Sequence, residues 1–103
     1  MPIMEISIVP VGTKAPSVSR HVAKAVVILN KEKDITYQLM SMGTIIETDS
    51  VEKLLEIAGK MHKAVLCEDV QRIVTSIKID DRIDKSITMQ GKIDAVKKKL
   101  TEE

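Results

Sequence analysis

The side chains able to do chemistry are few and scattered in this sequence. His21 follows Arg20, and His62 sits between Met61 and Lys63; both fall in stretches of helical pattern, where a solvated histidine is far commoner than a general base. Cys67 has no activating neighbour and reads as a small buried residue. Asp80, Asp81 and Asp84 invite a cation loop, but Arg82 and Lys85 interrupt them and the closing glutamate of a calcium loop is absent, which favours a solvated, salt-bridged turn. Gly12-Thr13-Lys14 is only a fragment of a phosphate loop. No catalytic residue, metal ligand or cofactor motif emerges from these. What stands out is Glu47, a carboxylate beside Ile45-Ile46 on an otherwise apolar strand candidate just after Met42-Gly43.

Composition narrows the classes. A chain of 103 residues predicts one domain over residues 1–103, with a core large enough to fold without disulfides or metal. Tyr37 is the only aromatic residue, so that core must be built from Ile, Val, Leu, Met and Ala. Sixteen basic residues against fifteen acidic ones give a formal charge of +1, which argues against a nucleic-acid or anionic-membrane partner. Sheet-based RNA recognition also needs exposed aromatic residues that this chain lacks. One cysteine, no signal-like start and no long apolar run predict a soluble cytoplasmic protein.

The elements that must position Glu47 follow from periodicity. Ile3 to Val9 alternates Met4, Ile6 and Ile8 against Glu5 and Ser7, predicting a two-faced strand ended at Pro10. Ser17 reads as an N-cap, and Val18, Val22, Val26 and Leu29, with Ala25, predict a helix over about 17–32. Lys31-Glu32-Lys33-Asp34 reads as its solvated exit. Ile35 to Met40 and Thr44 to Thr48 predict a hairpin turned at Ser41-Met42-Gly43, with Gly43 available for positive φ. Asp49 or Ser50 caps a second helix over about 50–67, striped by Val51, Leu54, Leu55, Ala58, Met61 and Val65. Val70 to Ile79 predicts the longest strand. Thr88 to Leu100 predicts a weaker terminal helix with the stripe Ile93, Val96 and Leu100, packed on a sheet edge or a neighbouring subunit.

This order predicts a ferredoxin-like βαββαβ α/β (α+β) sandwich: a four-stranded antiparallel sheet, two helices on one face, and an added C-terminal helix. The other face then stays open. It carries Glu5, Ser7 and Val9, and Glu47; from the second strand either Gln38 and Met40 or Tyr37 and Leu39; from the last, either Arg72, Val74, Ser76 and Lys78 or Ile73, Thr75 and Ile77. Such a mixed face suits a subunit interface, with Glu5 or Glu47 paired to Arg72 or Lys78, or a pocket in which carboxylates and hydroxyls orient a small ligand. The two are compatible.

Ile8-Val9-Pro10-Val11-Gly12-Thr13, Ser17-Val18-Ser19, Met42-Gly43-Thr44-Ile45-Ile46-Glu47, Met61-His62 and Arg72 through Arg82, with Asp84-Lys85 before the last helix, resemble in order and spacing the small thiamine-binding proteins. The resemblance covers nearly the whole chain. It implies a cytoplasmic, non-enzymatic protein that binds thiamine or its hydroxymethylpyrimidine moiety as a homo-oligomer, dimer or tetramer, with pocket residues on the open face. For such a pyrimidine the expected partners are Glu47 for the amino group or ring proton, with Ser7, Thr44 and Ser76 adding hydrogen bonds. Parity sets Thr44 and Glu47 on opposite faces unless Thr44 belongs to the turn or the pocket wraps the sheet end. The alternatives are an oligomerisation module without a specific small ligand and, on fold analogy alone, an acylphosphatase, whose arginine-bearing phosphate loop is not seen.

Overall fold

The structure, a computed structural model, describes residues 1–14 and 19–102. The elements are β1 (Ile3–Pro10), α1 (Ser19–Asn30), β2 (Thr36–Met40), β3 (Gly43–Glu47), α2 (Val51–Val65), β4 (Ile73–Asp80) and α3 (Met89–Thr101). The strands form one antiparallel sheet in the order β2-β3-β1-β4. Each β-α-β half therefore steps over a strand of the other half, which gives the ferredoxin-like α+β sandwich with α3 appended.

The register of β1 assigns both faces. Met4 pairs with Ile46 and Ile79, while Glu5 pairs with Ile45 and Lys78. Directly paired residues project to the same side, so Met4, Ile6 and Ile46 point to the helices and Glu5, Ser7 and Val9 point away. On the helix side Met4 and Ile46 are completely buried, packed with Ala25 and Leu29 of α1 and Leu54, Ile57 and Met61 of α2. Removing side chains of this size from water contributes about 1.5–3 kcal/mol each.

The helices form where their patterns indicate, with shifted faces. Ser50 caps α2, its hydroxyl accepting from Lys53 N at 3.1 Å. Along α2, Ile57 takes the core place expected of Leu55, which is exposed. On α1 the buried row is His21, Ala25 and Leu29, with Val22 and Val26 only half-buried. The expected cap Ser17 and the stripe residue Val18 lie outside the described residues. β4 starts at Ile73, not Val70, because Val70 turns back to exchange backbone hydrogen bonds with Cys67 at 3.0 and 3.1 Å and fills the core there. Cys67 is exposed on that turn, contrary to its buried reading.

The hairpin between β2 and β3 turns at Ser41-Met42, where Met40 faces Gly43. Gly43 does not use positive φ; among the described glycines only Gly12 does, at 80°. Its reason is close approach, since a Cβ at position 43 would lie 2.9 Å from the Ile6 carbonyl oxygen. That atom is backbone in the central strand and has no room to retreat.

Glu32, read as part of a solvated exit, is instead mostly covered and ties α1 to α2. It accepts from Lys60 Nζ at 2.7 Å and lies 3.9 Å from Lys53 Nζ. The hydrogen bond from Lys60 holds the Glu32 carboxyl below its ordinary value of 4.5, with burial opposing.

Gly43→Ala is expected to lower unfolding stability by about 1–3 kcal/mol through this backbone clash, read as a lower urea midpoint at unchanged slope. A depressed carboxyl stabilises the fold above its unfolded pKa and loses that contribution as pH falls through the folded one. The stability gap between the native chain and Glu32→Gln should therefore be full above the unfolded value near 4.5 and close on further acidification. Urea melts of both proteins across this range check it; a gap that widened in acid would contradict the assignment.

Candidate ligand-binding face

Paired residues on the open side of the sheet lie in rows. The end row runs Thr36, Glu47, Ile3, Asp80; the next runs Gln38, Ile45, Glu5, Lys78. Beyond these, Met40 faces Gly43, Ser7 pairs with Ser76, and Val9 pairs with Val74. Gln38 and Met40 are thus the β2 residues on this side, and Val74, Ser76 and Lys78 are those of β4. Arg72 precedes β4 and takes no place in the rows.

The first turn of α3 lies across the end row, so this side is not wholly uncovered. Met89 N donates to Glu47 Oε2 at 2.7 Å, Lys92 pairs with Asp80, and Ile87 just before the helix is buried. Thr88 caps the same helix, its hydroxyl accepting from Gly91 N at 2.9 Å. Glu47 is only 9% exposed. A carboxylate so covered needs hydrogen-bond donors, and the free N–H groups and positive dipole end of a helix supply them. Farther along, α3 buries nothing: Ile93, Val96 and Leu100 are 40%, 61% and 69% exposed.

Between α3 and the second row lies an open hollow of ≈ 540 Å³. Ile3, Met40, Ile45 and Ile79 form much of its wall, with Met89 and Ile93 from α3; Glu5, Gln38, Lys78, Asp80 and Lys92 give it polar groups. Glu5 and Lys78 approach only to 4.0 Å and both are exposed, so this pair contributes little and leaves the carboxylate accessible.

The residues expected to gather round a ligand do not all meet. Ser7 and Ser76 are paired on the open side. Glu47 shares that side but stands two rows away, about 13 Å along the strands. Thr44 pairs with Ile6, so it faces the helices, and it is 4% exposed. It joins Ser7 only at a smaller hollow of ≈ 240 Å³ that wraps the hairpin end of the sheet, where Met42 and Met61 also contribute. Gln38, Lys78 and Glu5 are brought together instead. Their alternation with buried neighbours was readable from the strands, but choosing between the two β2 parities required the hairpin register. Of the proposed carboxylate pairings, Glu5 does face Lys78, whereas Glu47 is met by the α3 backbone.

The remaining reactive side chains lie elsewhere. His21 is 6% exposed and its Nδ1 has no hydrogen-bond partner among the described residues, so it is a core residue of α1 and not a solvated one. His62 Nδ1 lies 2.7 Å from Thr75 Oγ1 and bridges α2 to β4 on the helix side of the sheet. Arg82 grips Asp84 through two hydrogen bonds of 2.9 and 2.5 Å and holds its carboxyl below the usual range, while Lys92 takes Asp80. The acidic turn is salt-bridged, as its interspersed basic residues indicate. No helix among the described residues is long and apolar enough to cross a membrane.

Fold and face together define a ferredoxin-like module with a hollow on its open sheet side. The thiamine-binding protein family matches residues 4–97, and the chain belongs to that family. It is 40% identical over 103 residues to the UPF0045 protein YqgV of Bacillus subtilis, covering 97% of this chain and 98% of that one. A UPF0045 protein of Methanothermobacter thermautotrophicus is 36% identical, over 93% of this chain and 96% of its own. Among solved structures, the hypothetical protein MJ1052 of Methanocaldococcus jannaschii superposes with a TM-score of 0.82 at 38% identity, over 92% of this chain and 94% of that one. A Thermotoga maritima protein proposed to act in thiamine biosynthesis or salvage shares the fold, with a TM-score of 0.77 at 16% identity over 92% and 97% of the two chains.

Proposed function

We propose that this protein binds thiamine, or its hydroxymethylpyrimidine moiety, without chemical turnover, in the hollow on the open sheet face and within a homo-oligomer. The observation that carries the reading is the hollow itself, in a chain of the thiamine-binding family. Its size falls in the range of small-molecule sites, and apolar walls with a few convergent polar groups are their usual form. Gln38 offers both a donor and an acceptor, which suits the adjacent ring nitrogen and amino group of an aminopyrimidine. Glu5, left accessible by its loose pair with Lys78, suits a cationic ring better than a neutral one. With no aromatic residue in the hollow, Met40 and Met89 provide polarizable walls for a flat ring. Ser7 and Ser76, one row beyond, can reach the far end of a ligand longer than one ring.

The oligomer is supported by apolar surface that continues from the hollow along Ile93, Val96 and Leu100 of α3. The same surface favours the second reading, an assembly module whose face is used only between copies. A cytoplasmic setting is part of the proposal and is supported by a single free cysteine.

Calorimetry with thiamine and with hydroxymethylpyrimidine tests the first reading. Saturable binding is expected, weakened roughly tenfold by Gln38→Ala through loss of its hydrogen bonds and unchanged by Thr44→Val, whose side chain faces the helices. No heat and no thermal shift at millimolar ligand would leave only the assembly reading. Native mass spectrometry is expected to give a multiple of the 11.4 kDa chain mass, reduced by Val96→Glu; a monomeric native chain would sink the oligomer.

A further inference from the structure

We propose that Glu47 is a positioning residue: it holds the first turn of α3 on the sheet so that Met89, Lys92 and Ile93 wall the ligand hollow, and α3 acts as a docked lid. This rests on the small-molecule reading above and gives the carboxylate a different role from direct contact with the ligand.

Three observations carry it. Oxygen Oε2 of Glu47 is already committed to Met89 N at 2.7 Å, and the residue is 9% exposed, so a ligand in the hollow meets the helix before it meets the carboxylate. Glu47 is not among the residues that line the hollow, whereas Met89, Lys92 and Ile93 are. Within one chain the helix has no other deep anchor along its length, since none of its residues is buried; docking on its own sheet depends on its first turn, through Glu47, the Lys92–Asp80 pair and Ile87 just before it. An element fastened at one end and forming one wall of a hollow has two accessible states, docked and released. A ligand that touches Met89 and Ile93 favours the docked state, and by linkage whatever loosens α3 weakens that ligand.

The test combines amide hydrogen exchange with thiamine calorimetry on the full chain and three variants. Glu47→Ala is expected to speed exchange at Met89 through Lys92 and to weaken thiamine binding. Glu47→Gln keeps an oxygen that accepts from Met89 N and should restore both to within a few-fold of the native chain. Thr88→Ala removes the other cap from a position outside the hollow; it should weaken thiamine by roughly fivefold while the urea midpoint of the sheet holds. Unchanged α3 exchange in Glu47→Ala would overturn the proposal. So would a Glu47→Gln protein that keeps α3 protected yet binds as poorly as Glu47→Ala, because the charge would then be acting on the ligand itself. If the native chain binds no thiamine, the small-molecule reading falls, and the exchange of Glu47→Ala against Glu47→Gln still decides whether Glu47 holds the helix. Should Glu47→Ala fail to fold, Glu47→Met, which fills similar space without the carboxylate acceptor, takes its place in both measurements, with faster α3 exchange expected and unchanged exchange overturning the proposal.

Discussion

The pairing of β1 with β3 on one side and β4 on the other is the constraint on which the molecule depends. Because side chains alternate strictly, fixing Met4 against Ile46 and Ile79 also fixes Glu5 against Ile45 and Lys78. A slip by one residue would drive Glu5 and Ser7 into a core built mainly of aliphatic and methionine side chains and expose Met4 and Ile6. The cost of burying an unpaired carboxylate makes that slip prohibitive. One register therefore creates both the core and the open face, and the hollow is a by-product of the same alternation that folds the sheet.

Gly43 protects that register. Its missing side chain lets β3 come close to the Ile6 carbonyl of β1. The hairpin is thus anchored by contact with the central strand more than by unusual turn geometry. Met42 at its tip is 88% exposed and adds nothing to the core. Packing of α1 on α2 adds the Glu32 contact to Lys60, which joins the two halves on the far side from the hollow.

Period-two and helical patterns were enough to read the strand order, the two long helices and the sandwich, because alternation and helical stripes are local records of which face is buried. The faces of the helices were less legible. On α1 the valines outnumber the alternatives, yet the buried row is the one containing His21 and Ala25. Close helix packing selects small side chains and shape, which a hydrophobicity pattern does not weigh. Cys67 left its expected buried place and Val70 its expected strand because a turn between α2 and β4 decides which of them points inward. On the candidate site, parity correctly separates Thr44 from Glu47. It could not reveal that Glu47 lies under the start of α3, since that contact spans 42 residues and depends on how the acidic turn carries the chain back across the sheet.

That long-range contact also explains why a glutamate can stand at this point of an apolar strand. Left alone under a covering element, the carboxylate would cost more than the strand could tolerate; left exposed, it would order nothing. The N-terminus of α3 has the matching problem, N–H groups with no acceptor inside the helix. Placing one against the other resolves both, and Thr88 answers for a further donor. The joint is stronger than a neutral hydrogen bond because charge and helix dipole are aligned, yet it and the Lys92–Asp80 pair hold only the first turn of a helix that buries no side chain of its own. Local stability follows the number of such attachments, so α3 should open at a lower free energy than the sheet beneath it. In the proposed arrangement the sheet is the firm floor of the hollow and the helix its adjustable wall, so the fold can hold while that wall moves.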